Sequence, residues 1–156
     1  MCVVGCRDTH GAIVPAVLAI LVVDNNDLYR ILYFVHLITA IAAFGPLFLY
    51  PRLRRAGETE SIAKMHVYFV IPALVLMWVA GMGMAGVGKI SLAGTPFVTS
   101  TIVLWLVALV VSWFLIRPAL NDPDPSAKAR LSMGVGITHL VLVVALYLMI
   151  FKPGGY

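Results

Sequence analysis

Four apolar runs, each about as long as a membrane is thick, constrain this chain more than any other feature. They cover roughly residues 28–50, 65–87, 97–116 and 131–151. A helix rising 1.5 Å per residue needs about 20 residues to cross about 30 Å of hydrocarbon. In lipid the backbone must satisfy its own hydrogen bonds, which helices do within each run. Composition agrees: 62% of the residues are hydrophobic and 12% charged, against about 45–50% and about 25% in a soluble domain. The expected fold is all-α, an integral membrane four-helix up-down bundle. It occupies 28–153 and follows an N-terminal extension or short hydrophobic segment, 1–27. Short connections make consecutive helices antiparallel neighbours.

The charges indicate a topology. Arg52, Arg54, Arg55 and Lys64 lie between the first two runs, and Arg117, Lys128 and Arg130 between the last two. Arg7, Arg30, Lys89 and Lys152 fall on the other side. The positive-inside rule then expects both basic loops, 51–64 and 117–130, in the cytoplasm. Both termini are expected outside, in a multi-pass cell-membrane protein. The net charge of +4 is gathered between apolar runs, not on a basic face of a soluble fold, so the expected partner is the lipid bilayer and not nucleic acid.

The segment Gly11–Val23 is apolar but too short to span, and resembles a signal-peptide core or an interfacial segment. Cys2, Cys6 and His10 share one face of any helix there. A metal site needs more ligands and a fold around them, so they read as incidental.

Two histidines carry what the sequence says about chemistry. His36 and His139 are the only ionisable side chains deep in the apolar runs, and such a group is costly unless it has a partner. Thr39, Ala40 and Ala43 follow His36 on its helix face, and Gly136 and Ser132 precede His139 on its own. Counted from the outer ends, the two lie about 12 Å and about 18 Å deep, which allows one shared site. Imidazole is a common iron ligand, and a haem is tuned by its axial ligands and burial. The two are therefore candidate cofactor-binding residues, ligands to the iron of a b-type haem. The alternative is that each histidine hydrogen-bonds a neighbouring helix.

Other features point to less. His66, beside Met65 at the end of the second run, reads as a solvated interfacial histidine. Gly81-Met82-Gly83-Met84-Ala85-Gly86 matches a dinucleotide fingerprint but lacks the strand that fingerprint needs. Its glycines suit close helix packing. The seven methionines could suit copper but are ordinary apolar filler. Trp78, Trp105, Trp113, Tyr50 and Tyr68 read as interface anchors or packing residues. Asn121–Ser126 is a turn-rich connection in which Ser126 can cap the following helix. No carboxylate lies inside a run, which disfavours an ion-coupled carrier. Neither a P-loop nor an H-E-x-x-H motif is present.

The stretch from His36 through Gly45-Pro46 to Pro51-Arg52-Leu53 resembles the first helix of HemJ-type protoporphyrinogen oxidases. That resemblance implies haem ligation by His36. Ile71-Pro72-Ala73-Leu74 leading to Gly81 is loosely similar to the second helix of that family. Where the family places a ligating lysine, this chain has Thr99-Ser100-Thr101-Ile102. The oxidase activity is therefore not implied, and His139 would have to supply the second ligand. Over 28–153 the chain is closer to small, uncharacterised four-span bacterial membrane proteins, and more distantly similar to CopD-type membrane proteins. Their final helix closes on Lys-Pro, as Lys152-Pro153 does here.

Two functions follow as expectations. One is a b-type haem protein with a redox or haem-pathway role and a redox partner. The other is a non-enzymatic membrane protein, an accessory subunit of a larger membrane complex. Whether the chain is an enzyme is left open.

Overall fold

A computed structural model describes residues 25–122 and 124–153; the expectations for 1–24, including Cys2, Cys6 and His10, lie outside the described residues. Among the described residues the regular structure is all helical. Four helices are long and apolar enough to cross a membrane: Asn26–Arg55, Thr59–Val87, Pro96–Asn121 and Ser126–Phe151. Three of the four are composite. The first joins α1 (Asn25–Phe44), a 3-10 turn (Gly45–Phe48) and α2 (Tyr50–Arg55). The second joins α3 (Thr59–Met65), a π-turn (His66–Val70) and α4 (Ile71–Val87). The third joins α5 (Pro96–Val111), a π-turn (Ser112–Ile116) and α6 (Arg117–Asn121). The fourth is α7 (Pro125–Phe151).

Proline explains the interruptions. A proline inside a helix lacks an N–H and drives its ring against the carbonyl four residues back. Pro72 and Pro118 each come just after a π-turn. There the Ile71 N–H reaches back to the His66 carbonyl, and the Arg117 N–H to the Ser112 carbonyl. Widening the turn by one residue makes room for the ring without ending the helix.

The basic stretches expected as loops, 51–64 and 117–130, are mostly helical. Pro51 and Pro118 sit in first-turn positions, where a missing N–H costs nothing. The helices therefore run on past the apolar zone, and their arginines and lysines ride on the ends. The first turn-around narrows to a few residues around Gly57, whose φ of +86° suits a residue without Cβ. Asp124, not Ser126, caps α7: its carboxylate accepts from the Ser126 N–H at 3.3 Å and from the Ser126 hydroxyl at 2.7 Å. Those bonds from Ser126, with the Arg130 charge behind them, hold the Asp124 carboxyl below its ordinary pKa. Its help to the helix start is present above the usual carboxylate pKa and fades as pH falls through the lowered value.

The contacts run antiparallel between the first and second helices: Leu32 lies at Gly83, His36 at Met77, and Tyr50 at His66. The third and fourth meet where Ile116 lies at Gly134. The buried core is concentrated toward the arginine-rich end, in Ala43–Tyr50, Ile62–Leu74, Val111–Leu120 and Ala127–Val135. Toward the opposite end, most large apolar side chains of the first and fourth helices are exposed, including Ile31, Phe34, Leu146 and Ile150.

Two glycines of α7 make opposite predictions. A Cβ on Gly134 would stand 2.8 Å from Ile116 Cγ1, whereas one on Gly136 meets nothing within 4 Å. Ile116 is fully buried and stiff at χ1, so Gly134→Ala should destabilise by about 1–3 kcal/mol. Gly136→Ala should be neutral or stabilise by up to about 1 kcal/mol through helix propensity. Thermal unfolding of the detergent-solubilised variants checks the pair.

Candidate functional site

Three buried polar side chains, His66, Tyr50 and Ser112, meet where the two π-turns face each other. His66 opens one of these turns and Ser112 the other. Tyr50 lies opposite His66 because the tight turn at Gly57 folds the second helix back on the first. His66 Nδ1 is 3.0 Å from the Tyr50 hydroxyl, and His66 Nε2 is 3.2 Å from the Ser112 carbonyl and 3.0 Å from the Ser112 Oγ. Both His66 and Tyr50 are fully buried, and Ser112 nearly so. His66 is thus an interior tie between three helices, not a solvated interfacial histidine.

Chemistry assigns the protons. A carbonyl only accepts, so the His66 Nε2 carries a hydrogen and donates to the Ser112 oxygens. The Nδ1 lone pair is then left to accept from the Tyr50 O–H. In this tautomer the ring is neutral and fully satisfied. It has no free lone pair to take a proton from Ser112, so the Ser-His pair is not an activated nucleophile.

Neighbouring bonds reinforce the tie. Trp105 Nε1 donates to the Leu74 carbonyl at 2.9 Å, and its ring stacks on Trp78 at 5.3 Å. Arg54 Nη1 donates to the Ala119 carbonyl at 2.8 Å, across the C-terminal end of α6. A cation there satisfies a free carbonyl and suits the helix dipole.

The two histidines paired by depth in the sequence are not brought together. His36 Nδ1 is 2.9 Å from the Met77 carbonyl. Its ring lies so close to Gly81 that a Cβ there would be 3.4 Å away. His139 instead stacks on Phe48, ring centroids 3.9 Å apart. Phe48 follows His36 by twelve residues on the same long helix, or about 18 Å along its axis. Opposite axial ligands of one iron stand a few bond lengths apart, so this placement does not fit a haem shared by His36 and His139. Equal depth failed as a guide because the first helix is thirty residues long. Counted from the Phe48–His139 stack at 1.5 Å per residue, the fourth helix ends at Phe151, about level with His36, and the first continues past it to Asn26.

Each histidine still has a distinct chemistry. The Met77 carbonyl fixes His36 with its proton on Nδ1, leaving Nε2 as a bare lone pair. Metal-binding histidines are commonly held in this way. His139 Nε2 is buried without a hydrogen-bond partner among the described residues. No group of three or more His, Cys, Asp or Glu side chains able to hold a metal ion occurs among the described residues.

From the sequence, Tyr50 reads only as an anchor or packing residue and His66 as solvated, and Ser112 attracts no reading. One signal was present: His66 and Ser112 each stand six residues before a proline, Pro72 and Pro118. No family model, curated protein or solved structure matches the chain.

The network predicts a ranking. Tyr50→Phe leaves the His66 Nδ1 without a donor and should cost about 0.6 kcal/mol, the average for side-chain hydrogen bonds between apolar helices in lipid, and at most about 1.7 kcal/mol. Ser112→Ala should cost less, since the backbone carbonyl still accepts from Nε2. His66→Ala should cost most, because it strands Tyr50 and opens a cavity. Thermal unfolding in detergent gives the order, and a Tyr50→Phe/His66→Ala double variant should be clearly non-additive.

Proposed function

We propose that the chain is a multi-pass integral membrane protein, an up-down four-helix bundle in the cell membrane, with its arginine-rich loops cytoplasmic and both described ends outside. Its role is non-enzymatic: it serves as a subunit of a larger membrane assembly. The main support is how polar and apolar groups are divided. His66, Tyr50, Ser112, Trp105 and Arg54 use their hydrogen bonds to join the helices of this chain. The apolar core fills mainly the arginine-rich half, and the other half presents bare helix faces to its surroundings. In lipid, helices associate through close van der Waals packing and not through apolar burial from water, so such faces suit neighbouring helices as well as acyl chains.

One observation favours a second reading. The Met77 carbonyl holds the Nδ1 of His36 and leaves its Nε2 as the ring nitrogen a haem ligand would use. On this reading His36 alone on this chain would hold a b-type haem near the outer side.

A single preparation tests both. After extraction in mild detergent, the assembly reading expects a complex well above the 16.9 kDa of one chain. It also expects crosslinks from cysteines placed at Ile31 or Phe34, and a colourless protein. A monomer with no crosslinks in native membranes contradicts the assembly. A Soret band that disappears in His36→Ala supports the haem reading; wild-type protein that stays colourless with added haem removes it.

A further inference from the structure

An open groove of about 440 Å³ runs along the arginine-rich end, between the start of the second helix and the end of the third. Thr59, Lys64, Tyr68, Arg117 and Asn121 supply its polar lining, and Glu60 contributes one carboxylate. Lys64 holds that carboxylate at 2.7 Å in an exposed ion pair. Arg117 has no ion pair among the described residues; its guanidinium sits 4.2 Å over the Trp113 ring. A guanidinium stacked on a ring is fixed in direction while its N–H edge stays open to a planar or tetrahedral oxyanion. Two cations against one carboxylate leave the groove net positive.

The level of the groove matters as much as its charge. Tyr68 in the groove lining and Trp113 beneath the Arg117 guanidinium are exposed aromatics, the kind that mark the membrane–water boundary. Lys64 and Arg117 each lie four residues beyond one of them, toward the arginine-rich end, about 6 Å further along the helix axis. In the membrane placement proposed above, on which this rests, that is headgroup depth. Basic recesses between helices at this depth hold anionic headgroups.

We propose that this groove binds the phosphate of an anionic glycerophospholipid, with Arg117 as the principal contact and Lys64 as the second. The Tyr68 and Asn121 side chains provide neutral donors beside them. The occupant is a lipid and not free phosphate because Ala63, Val67 and Leu120 make part of the lining apolar, and the exposed Phe114 stands three residues before Arg117 on its helix, a surface against which acyl chains can lie. Glu60 opposes the anion and limits the affinity.

Native mass spectrometry of the detergent-solubilised protein tests this with phosphatidylglycerol and phosphatidylcholine as probes. Wild type is expected to retain phosphatidylglycerol preferentially. Arg117→Gln should reduce that retention about fivefold, the worth of one basic residue near an anionic surface. Arg117→Lys should fall between, and Glu60→Gln should retain at least as much as wild type. Excess inorganic phosphate should not displace the lipid. Equal retention of both lipids by wild type, or an unchanged preference in a folded Arg117→Gln variant, overturns the proposal while leaving the membrane reading intact. Displacement by inorganic phosphate overturns the lipid assignment. Failure to retain either lipid, in a protein stable without detergent, contradicts the membrane reading itself.

Discussion

The packing of the described chain depends on one buried ring. His66 joins Tyr50 of the first helix to Ser112 of the third while belonging to the second. A polar ring at zero exposure has no water to turn to, so every nitrogen must find a partner in the protein. That requirement fixes more than the ring. It sets the relative height of three helices, because a slide of one turn, about 5.4 Å, would break the bonds at both nitrogens. Close apolar packing, such as Gly134 against Ile116, resists such slides as well, but through fit and not through bonds of fixed direction.

The prolines make this arrangement possible. Pro72 and Pro118 force wide turns at His66–Val70 and Ser112–Ile116, and the polar residues sit at the mouths of those turns. The Ser112 carbonyl accepts the long-range bond of its own helix and also lies within reach of His66 Nε2. Arg54 extends the same design to the end of the bundle by closing carbonyls of the third helix. What might pass for catalytic machinery, a serine beside a histidine, is in this geometry a satisfied structural network. Among the described residues, groups with unused capacity lie elsewhere: Nε2 of His36, Nε2 of His139, and the guanidinium of Arg117.

The sequence reveals the four long helices because runs of twenty apolar residues admit little else, and the described core lies within them. Their ends were misjudged. Arg52–Arg55 and Arg117–Asn121 look like loops by charge, yet they are helical, since a charge cluster at a helix end costs nothing once it reaches water. The internal site was harder to read. His36 was identified as unusual, and it does have a partner, the Met77 carbonyl. Pairing it with His139 relied on counting residues from helix ends, which ignores how far one helix extends past another. His66 was judged by its place near a run's end; its burial comes from tertiary packing, which spacing along a single helix does not report. Only the shared six-residue distance to a following proline linked His66 with Ser112 in advance.

The whole network turns on the state of the His66 ring. Nitrogen NMR of histidine-labelled protein in lipid bilayers, with His66 assigned by its loss in His66→Gln, reads that state directly. A single neutral tautomer is expected, protonated at Nε2 and bare at Nδ1, with the Nδ1 resonance shifted when Tyr50→Phe removes its donor. A ring protonated at Nδ1, or one averaging between both tautomers, would contradict it.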